Sequence, residues 1–230
     1  MITRRLFLGA APLAVLSGCT TFGSSNDIKS QPALKPAPKP MPAAYGAVLD
    51  EPFPIAAIPD GIVPERFWRQ QVVNPFPNEA PGTLIVDPNA FYLHLVEGRD
   101  TAMRYGIGVG RQGFSWSGDA VVQYKRKWPR WKAPDDMVAR NPELTPYSVA
   151  NGGMDPGPLN PLGARALYLF QNGEDTIYRI HGNPEAHSIG KAVSSGCIRL
   201  LNQDIIDLHD RVRDGSKVIV KSSVMPAAMV

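Results

Sequence analysis

The stretch from Tyr178 to Leu208 decides how the rest of this chain is read: Tyr-Arg-Ile-His-Gly-Asn-Pro-Glu-Ala-His-Ser-Ile-Gly-Lys-Ala-Val-Ser-Ser-Gly-Cys-Ile-Arg-Leu-Leu-Asn-Gln-Asp-Ile-Ile-Asp-Leu. A thiol is a strong nucleophile only as the thiolate, and at a free pKa of about 8.5 only a few per cent is ionised at neutral pH. Cys197 therefore needs a base, and His181, closing the strand-like apolar run from Thr176 to Ile180, is the available one. Bringing the thiol below 7 takes about 2–3 kcal/mol of thiolate stabilisation, which a paired imidazolium supplies. Ser194, Ser195 and Gly196 lead into Cys197 on a tight turn. The backbone N–H groups of Ser195, Gly196 and Cys197 are thus candidates for an oxyanion hole. Nucleophile, base and oxyanion donors together specify acyl transfer. The competing reading is a small buried hydrophobe beside a hydrogen-bonded histidine, the commoner fate of a lone cysteine. The Gly and Ser around Cys197 weigh against it, because structural thiols sit in apolar runs.

His181-Gly182, a variable loop, and Ser194-Ser195-Gly196-Cys197-Ile198-Arg199 together resemble the signature of the L,D-transpeptidase (YkuD-type) catalytic domain of bacterial peptidoglycan-modifying enzymes. The resemblance implies Cys197 as nucleophile, His181 as general base and acid, and the Gly182 carbonyl as the group orienting the imidazole. Many members carry His just before the Gly-Cys pair, where this chain has Ser195. The resemblance further implies attack on the carbonyl of the L-centre of diaminopimelate, release of a terminal D-alanine, and transfer of the acyl group to an amine. Hydrolysis of the same acyl-enzyme and a wall-binding module without catalysis are the rival functions. Papain-like peptidases place Cys before His, the reverse of the order here.

Working outward from this stretch, a helix is expected from Gln203 to Val212. Asn202 would be its N-cap, Asp204 would sit near the positive end, and Arg211 and Arg213 near the negative end. Upstream, short β-rich runs begin at Gly82: Thr83 to Val86, Phe91 to Val96, Ala102 to Val109, Ala120 to Tyr124, Ala166 to Phe170 and Thr176 to Ile180, with Lys217 to Lys221 downstream. Turn residues such as Asp87-Pro88-Asn89 and Gln171-Asn172-Gly173 separate them. The expected fold is mainly β, a β-sandwich or barrel-like sheet, with one short helix after Cys197. Residues 126 to 165 lack periodicity and are rich in Pro and Gly, as a long functional flap would be. Segments on either side of it, from Trp128 to Pro134 and from Asn160 to Tyr168, add to the resemblance, which covers about residues 82 to 221. Trp131 and Tyr147 are candidates to line the groove, and Arg199 to bind a substrate carboxylate bidentately. The alternative for Arg199 is an ion pair with Asp204 or Asp207. The basic run Lys125-Arg126-Lys127 reads as the solvated edge of the flap.

The N-terminal part has a different texture. Residues 1–19 join Arg4-Arg5 to a short apolar run and then Leu16-Ser17-Gly18-Cys19, which reads as an export signal with a lipobox whose Cys19 takes lipid. Residues 20–81 are Pro-rich; the first 25 would reach roughly 75 Å if extended and act as a tether. Phe67, Trp68, Val72 and Val73 are too apolar for a linker and are expected to pack along the flank of the domain. The catalytic domain is placed at 82–222, with a tail over 223–230. If Cys19 is lipidated, Cys197 is the one remaining thiol of an exported protein, where an unpaired cysteine needs a reason. The chain carries 24 basic residues against 21 acidic; without Arg4 and Arg5 there are 22, so the charge points to no nucleic-acid partner. A periplasmic or cell-envelope protein is expected, monomeric, held at the membrane by lipid and acting on peptidoglycan stem peptides. No metal or organic cofactor is implied. His94 and His209 are read as structural or solvated, and His187 as the second-choice base. His181, His187, Cys197 and His209 match no zinc spacing.

Overall fold

The structure, a computed structural model, describes residues 39–110, 116–194 and 196–222. The expected leader, the lipobox with Cys19, most of the tether, Ser195 and the expected tail lie outside these residues.

The main sheet is built from strands β1 (Gln70–Val73), β2 (Leu84–Asp87), β3 (Tyr92–Val96), β4 (Thr101–Gly106), β6 (Gly118–Lys127), β7 (Arg165–Gln171), β8 (Glu174–Asn183), β10 (Ile198–Leu201) and β11 (Lys217–Val220). Their order is β1-β4-β3-β2-β11-β6-β7-β8-β10. Neighbours are antiparallel except β11 beside β2 and β10 beside β8, which are parallel. A separate parallel pair joins β5 (Val109–Gly110) to β9 (Ala192–Ser194). Helix α2 (Asn202–Arg211) packs across β7, β8 and β10. Leu84, Leu93, Leu167, Leu169, Ile180, Leu200, Ile205 and Leu208 fill the core between sheet and helix and are fully buried. Each such side chain contributes about 1.5–3 kcal/mol of transfer free energy.

The fold is mainly β, as the spacing of the short runs predicts, but four details differ. First, the sheet does not close into a barrel. β1 and β10 stand at its two ends, and the far edge of β4 is already taken by β1. Among the described residues, a single two-bond bridge, Gly108 with Arg199, links the chain beyond β4 to β10. Second, the flap holds a short helix of its own, α1 (Asp135–Arg140), so α2 is not the one helix. Third, Asn202 is the first residue of α2 rather than its cap; its Oδ1 accepts from the Ala164 N–H at 3.0 Å, tying the helix to the base of the flap. Fourth, Phe67 and Trp68 pack against the domain as expected, but Val73 is exposed and the packing begins much earlier, at Tyr45. Tyr45, Val63, Phe67 and Trp68 form a buried cluster with Ile189 and Leu201, and Glu51 accepts from Trp128 Nε1 at 2.7 Å and pairs with the buried Arg165. This strap pins the root of the flap.

Candidate active site

The parallel β8–β10 pair sets the site. Ile198 lies opposite Ile180 and Arg199 opposite His181, so Cys197, one residue before β10, stands at the mouth of that pair. The His181 ring is buried and its Nδ1 meets the Gly182 carbonyl at 2.5 Å. A carbonyl only accepts, so Nδ1 carries the proton and Nε2 is left with the lone pair. Gly182 must be glycine for lack of room: a Cβ there would lie 2.3 Å from Asn202 Oδ1 and 2.8 Å from Ile205 Cγ2.

The turn ahead of Cys197 is clamped from the other side. Gly190 donates to Ile107, Val109 donates to Lys191, and Gly108 exchanges two backbone hydrogen bonds with Arg199, all at 2.8–3.0 Å. The clamp works because Gly108 is glycine; a Cβ would meet the Ser188 carbonyl oxygen at 2.6 Å. The expected strand from Ala102 to Val109 therefore breaks at Gly106. Its signal in the sequence was the alternation Gly106-Ile107-Gly108-Val109-Gly110, since glycine inside a strand marks close backbone approach. Gly196 has φ 137°, a conformation open to glycine.

His181, Cys197, Gly196, Arg199 and Trp131 line one cavity of about 900 Å³ between the sheet and the flap. Tyr147 does not line it; its ring packs 6.3 Å from that of Trp131. His187 is exposed and also outside the lining, while His209 sits on α2 with Nδ1 at 3.2 Å from Asp210. Arg199 pairs with Glu185 at 3.0 Å instead of Asp204 or Asp207; those two face Arg69, and Asp207 also holds Arg211. The basic run divides by strand alternation. Lys125 Nζ caps the end of α2 by donating to the His209 and Val212 carbonyls, while Arg126 turns into the cavity. Ile177, on a bulge of β8, lines the cavity at φ 66°, a strained setting for a β-branched residue, with its N–H on Asp175 Oδ1 at 2.8 Å.

The electrostatics differ from an imidazolium–thiolate pair. Burial pulls His181 down to about 4, partly opposed by the Gly182 carbonyl and reinforced by the charges of Arg199 and Arg179. Burial pushes the Cys197 thiol up, although the Arg179 backbone N–H and the Arg179 and Arg199 charges act against it. Both groups rest neutral at pH 7, a thiol and an imidazole free base lining the same cavity.

The model of the YkuD family, the L,D-transpeptidase catalytic domain, matches residues 81–220, which hold every strand of the main sheet except β1 and every cavity residue named above. The chain belongs to that family. It is similar to a putative L,D-transpeptidase from the ATP synthase subunits region of Fuscovulum blasticum, 35% identical over 160 residues, covering 66% of this chain and 74% of that protein. It is similar also to the probable L,D-transpeptidase YbiS of Escherichia coli K12, 32% identical over 145 residues, 60% of this chain and 43% of that one. The matched region thus spans less than half of YbiS. A crystal structure from Brucella melitensis, described as a probable carnitine operon oxidoreductase, is 44% identical over 69% of this chain and 96% of that chain, with a TM-score of 0.48.

Proposed function

We propose that this L,D-transpeptidase-family domain is a peptidoglycan L,D-transpeptidase with Cys197 as nucleophile and His181 as general base and acid. The observation that carries the reading is one cavity that joins a half-buried thiol, an imidazole held through Nδ1 by the Gly182 carbonyl, and a glycine turn. Because both groups rest neutral, the Cys197 proton moves to His181 Nε2 as the sulfur attacks the diaminopimelate carbonyl carbon. The tetrahedral oxyanion is met by N–H groups of the turn through Ser195, Gly196 and Cys197. The carbon–nitrogen bond breaks, His181 returns its proton to the leaving D-alanine amine, and a thioester remains. An acceptor amine then gives a proton to His181, attacks the thioester and frees the thiol. Arg199 is the carboxylate contact, with Glu185 holding its guanidinium until substrate arrives, and Trp131 is an apolar wall.

In the same reading the protein works outside the cytoplasm, in the cell envelope, as a monomer anchored through lipidated Cys19, with residues 82–222 as its catalytic domain. The test is the intact mass of the full chain after incubation with a peptide ending in diaminopimelyl-D-alanine, followed by muropeptide analysis of treated sacculi. One acyl mass on Cys197 and new 3-3 cross-links are expected. Acyl mass on another residue, or none, would overturn the reading; free tripeptide without cross-links would make it a hydrolase.

A further inference from the structure

The flap leaves the sheet after Lys127 and returns at Arg165, and those two residues lie opposite each other across β6 and β7. Both roots are held by one residue far upstream. Glu51 sits in a strap loop closed by two backbone hydrogen bonds between Val48 and Ile55, at 2.9 and 3.0 Å. Its Oε2 accepts from Trp128 Nε1 at 2.7 Å and from Arg165 Nη1 at 2.9 Å, while its Oε1 pairs with Arg165 Nη2. Phe53 packs edge-on against the Trp128 ring at 4.9 Å, and Ile55 joins Trp128 and Ala164 in a buried cluster. Trp128 stands at φ 44°, a left-handed setting that a non-glycine residue keeps only where its surroundings over-determine it. Here the strap supplies Glu51, Phe53 and Ile55 to those surroundings. The flap wall of the cavity starts and ends at the same roots: Pro129, Arg130 and Trp131 follow Trp128, and Pro161 and Leu162 come just before Ala164.

We propose that the strap loop from Val48 to Ile55 is a latch for the flap, and that Glu51 is a positioning residue that sets the width of the cavity from outside its lining. Its effect on the donor rests on reading the cavity as the donor-peptide site. Trp131 is three residues beyond Trp128, roughly 10 Å along an extended chain, so a tilt of about 10° at the root moves it by about 2 Å. The latch resists such a tilt. Arg165 is 3% exposed and Glu51 14%, and a guanidinium held on both carboxylate oxygens keeps one orientation. Freeing one partner would strand a buried charge, which ties the two roots to the strap. Glu51 lies ahead of the matched residues 81–220, so the flap of this chain is set by a segment outside the shared family domain.

The test compares the full chain with two variants. Glu51→Gln turns an amide group toward Arg165, whereas Trp128→Phe keeps the buried ring and the Arg165 pair but removes the indole N–H. Hydrogen exchange at the Trp131, Ala133 and Met154 amides, each bonded within the flap, should quicken about tenfold in the first and about threefold in the second. The Gly108 and Arg199 amides, which bond to each other's carbonyls at the sheet, should exchange as in the wild type. KM for the donor peptide should rise about three- to tenfold with kcat nearly constant. Tyr45→Phe is the control from the same strap: it removes the hydroxyl that meets Asp204, away from the roots, so it should lower the melting temperature and move neither flap exchange nor KM. If Glu51→Gln fails to fold, Trp128→Phe decides alone. Unchanged flap exchange, or equal quickening at Gly108 and Arg199, would overturn the latch. Quickened flap exchange with unchanged KM would overturn the role of Glu51 in setting the cavity. Absence of any acyl-enzyme in the wild-type chain would instead overturn the functional reading, and the flap amides would still decide the latch.

Discussion

The cavity has two walls built on different principles. The sheet wall is made of residues locked in strand ladders: Tyr124 opposite Tyr168, Tyr168 opposite Arg179, His181 opposite Arg199. The flap wall hangs on isolated bridges, Trp131 with Met154 and Ala133 with Ser148, and neither α1 nor the 3-10 turn Pro142–Tyr147 buries a residue. One wall is therefore held by the core and the other by its roots, at Glu51 and Asn202. A group that must sit within a fraction of an ångström belongs on the first; a surface that must admit a polymer belongs on the second.

If that contrast is right, the largest effect should come from the deepest point of the sheet wall. Gly182→Ala forces a methyl against Asn202 and Ile205, contacts that α2 cannot yield without leaving the sheet. A loss of about 1–3 kcal/mol is expected from such overpacking, with a fall of several degrees in melting temperature and acylation reduced at least a hundredfold as His181 shifts. Wild-type melting and acylation would show that the helix floats on the sheet, and the contrast would collapse.

Next in size is the consequence of a neutral thiol–imidazole pair. The Cys197 pKa is raised, so the thiolate fraction, and with it the rate of iodoacetamide alkylation, should climb through alkaline pH with its inflection above that of a free cysteine. His181→Ala should leave that curve nearly in place, while cutting acylation by the donor peptide about 10²–10⁴-fold, the usual range for a lost general base. An alkylation plateau already reached below pH 7 and abolished by His181→Ala would mean a standing ion pair.

A smaller effect reports on the support beneath the sheet wall. Asp204, fully buried on α2, accepts from Tyr45 at 3.3 Å and has its pKa raised by burial from 3.8 to about 7. A carboxyl held above its unfolded value keeps its proton better in the fold. Its stabilising contribution is whole below 3.8 and fades as the pH climbs through about 7. Asp204→Asn mimics the protonated form, so it should raise the melting temperature by a few degrees at pH 8.5, by less at pH 5 and by almost nothing at pH 3.5. An advantage that grows toward acid would reverse the assignment.

The same contrast explains what could be read before any coordinates. The mainly β fold and α2 were legible because their residues alternate or cluster by period, and His181-Gly182 and Cys197 because few chemistries need those types so near each other. The open edge of the sheet was not, since it depends on β1 arriving from a segment whose prolines suggested a tether. Arg126 was hidden for a related reason: Lys125-Arg126-Lys127 looks uniform along the chain, yet strand alternation sends Lys125 to the end of α2 and Arg126 into the cavity. The ion pair of Arg199 with Glu185 joins a strand to a loop, and local spacing carries no trace of it.

The smallest effects are expected on the flap, and there the two aromatics should separate. Trp131 lines the cavity, whereas Tyr147 lies behind it with its ring 6.3 Å away. Truncating either leaves the flap's backbone bonds in place, because Trp131 pairs with Met154 and Tyr147 accepts from Ala133 through main-chain atoms alone. Trp131→Ala removes apolar surface from the substrate's path, so KM for the donor peptide should rise about three- to tenfold with kcat nearly constant, the pattern of lost uniform binding. Tyr147→Ala removes only a prop for that indole, so its KM should change by no more than about twofold. The double variant should behave like Trp131→Ala, since the prop has nothing left to support. A Tyr147→Ala effect as large as that of Trp131→Ala would mean that the flap aromatics act as one rigid unit, and the flap wall would then be as firmly built as the sheet wall.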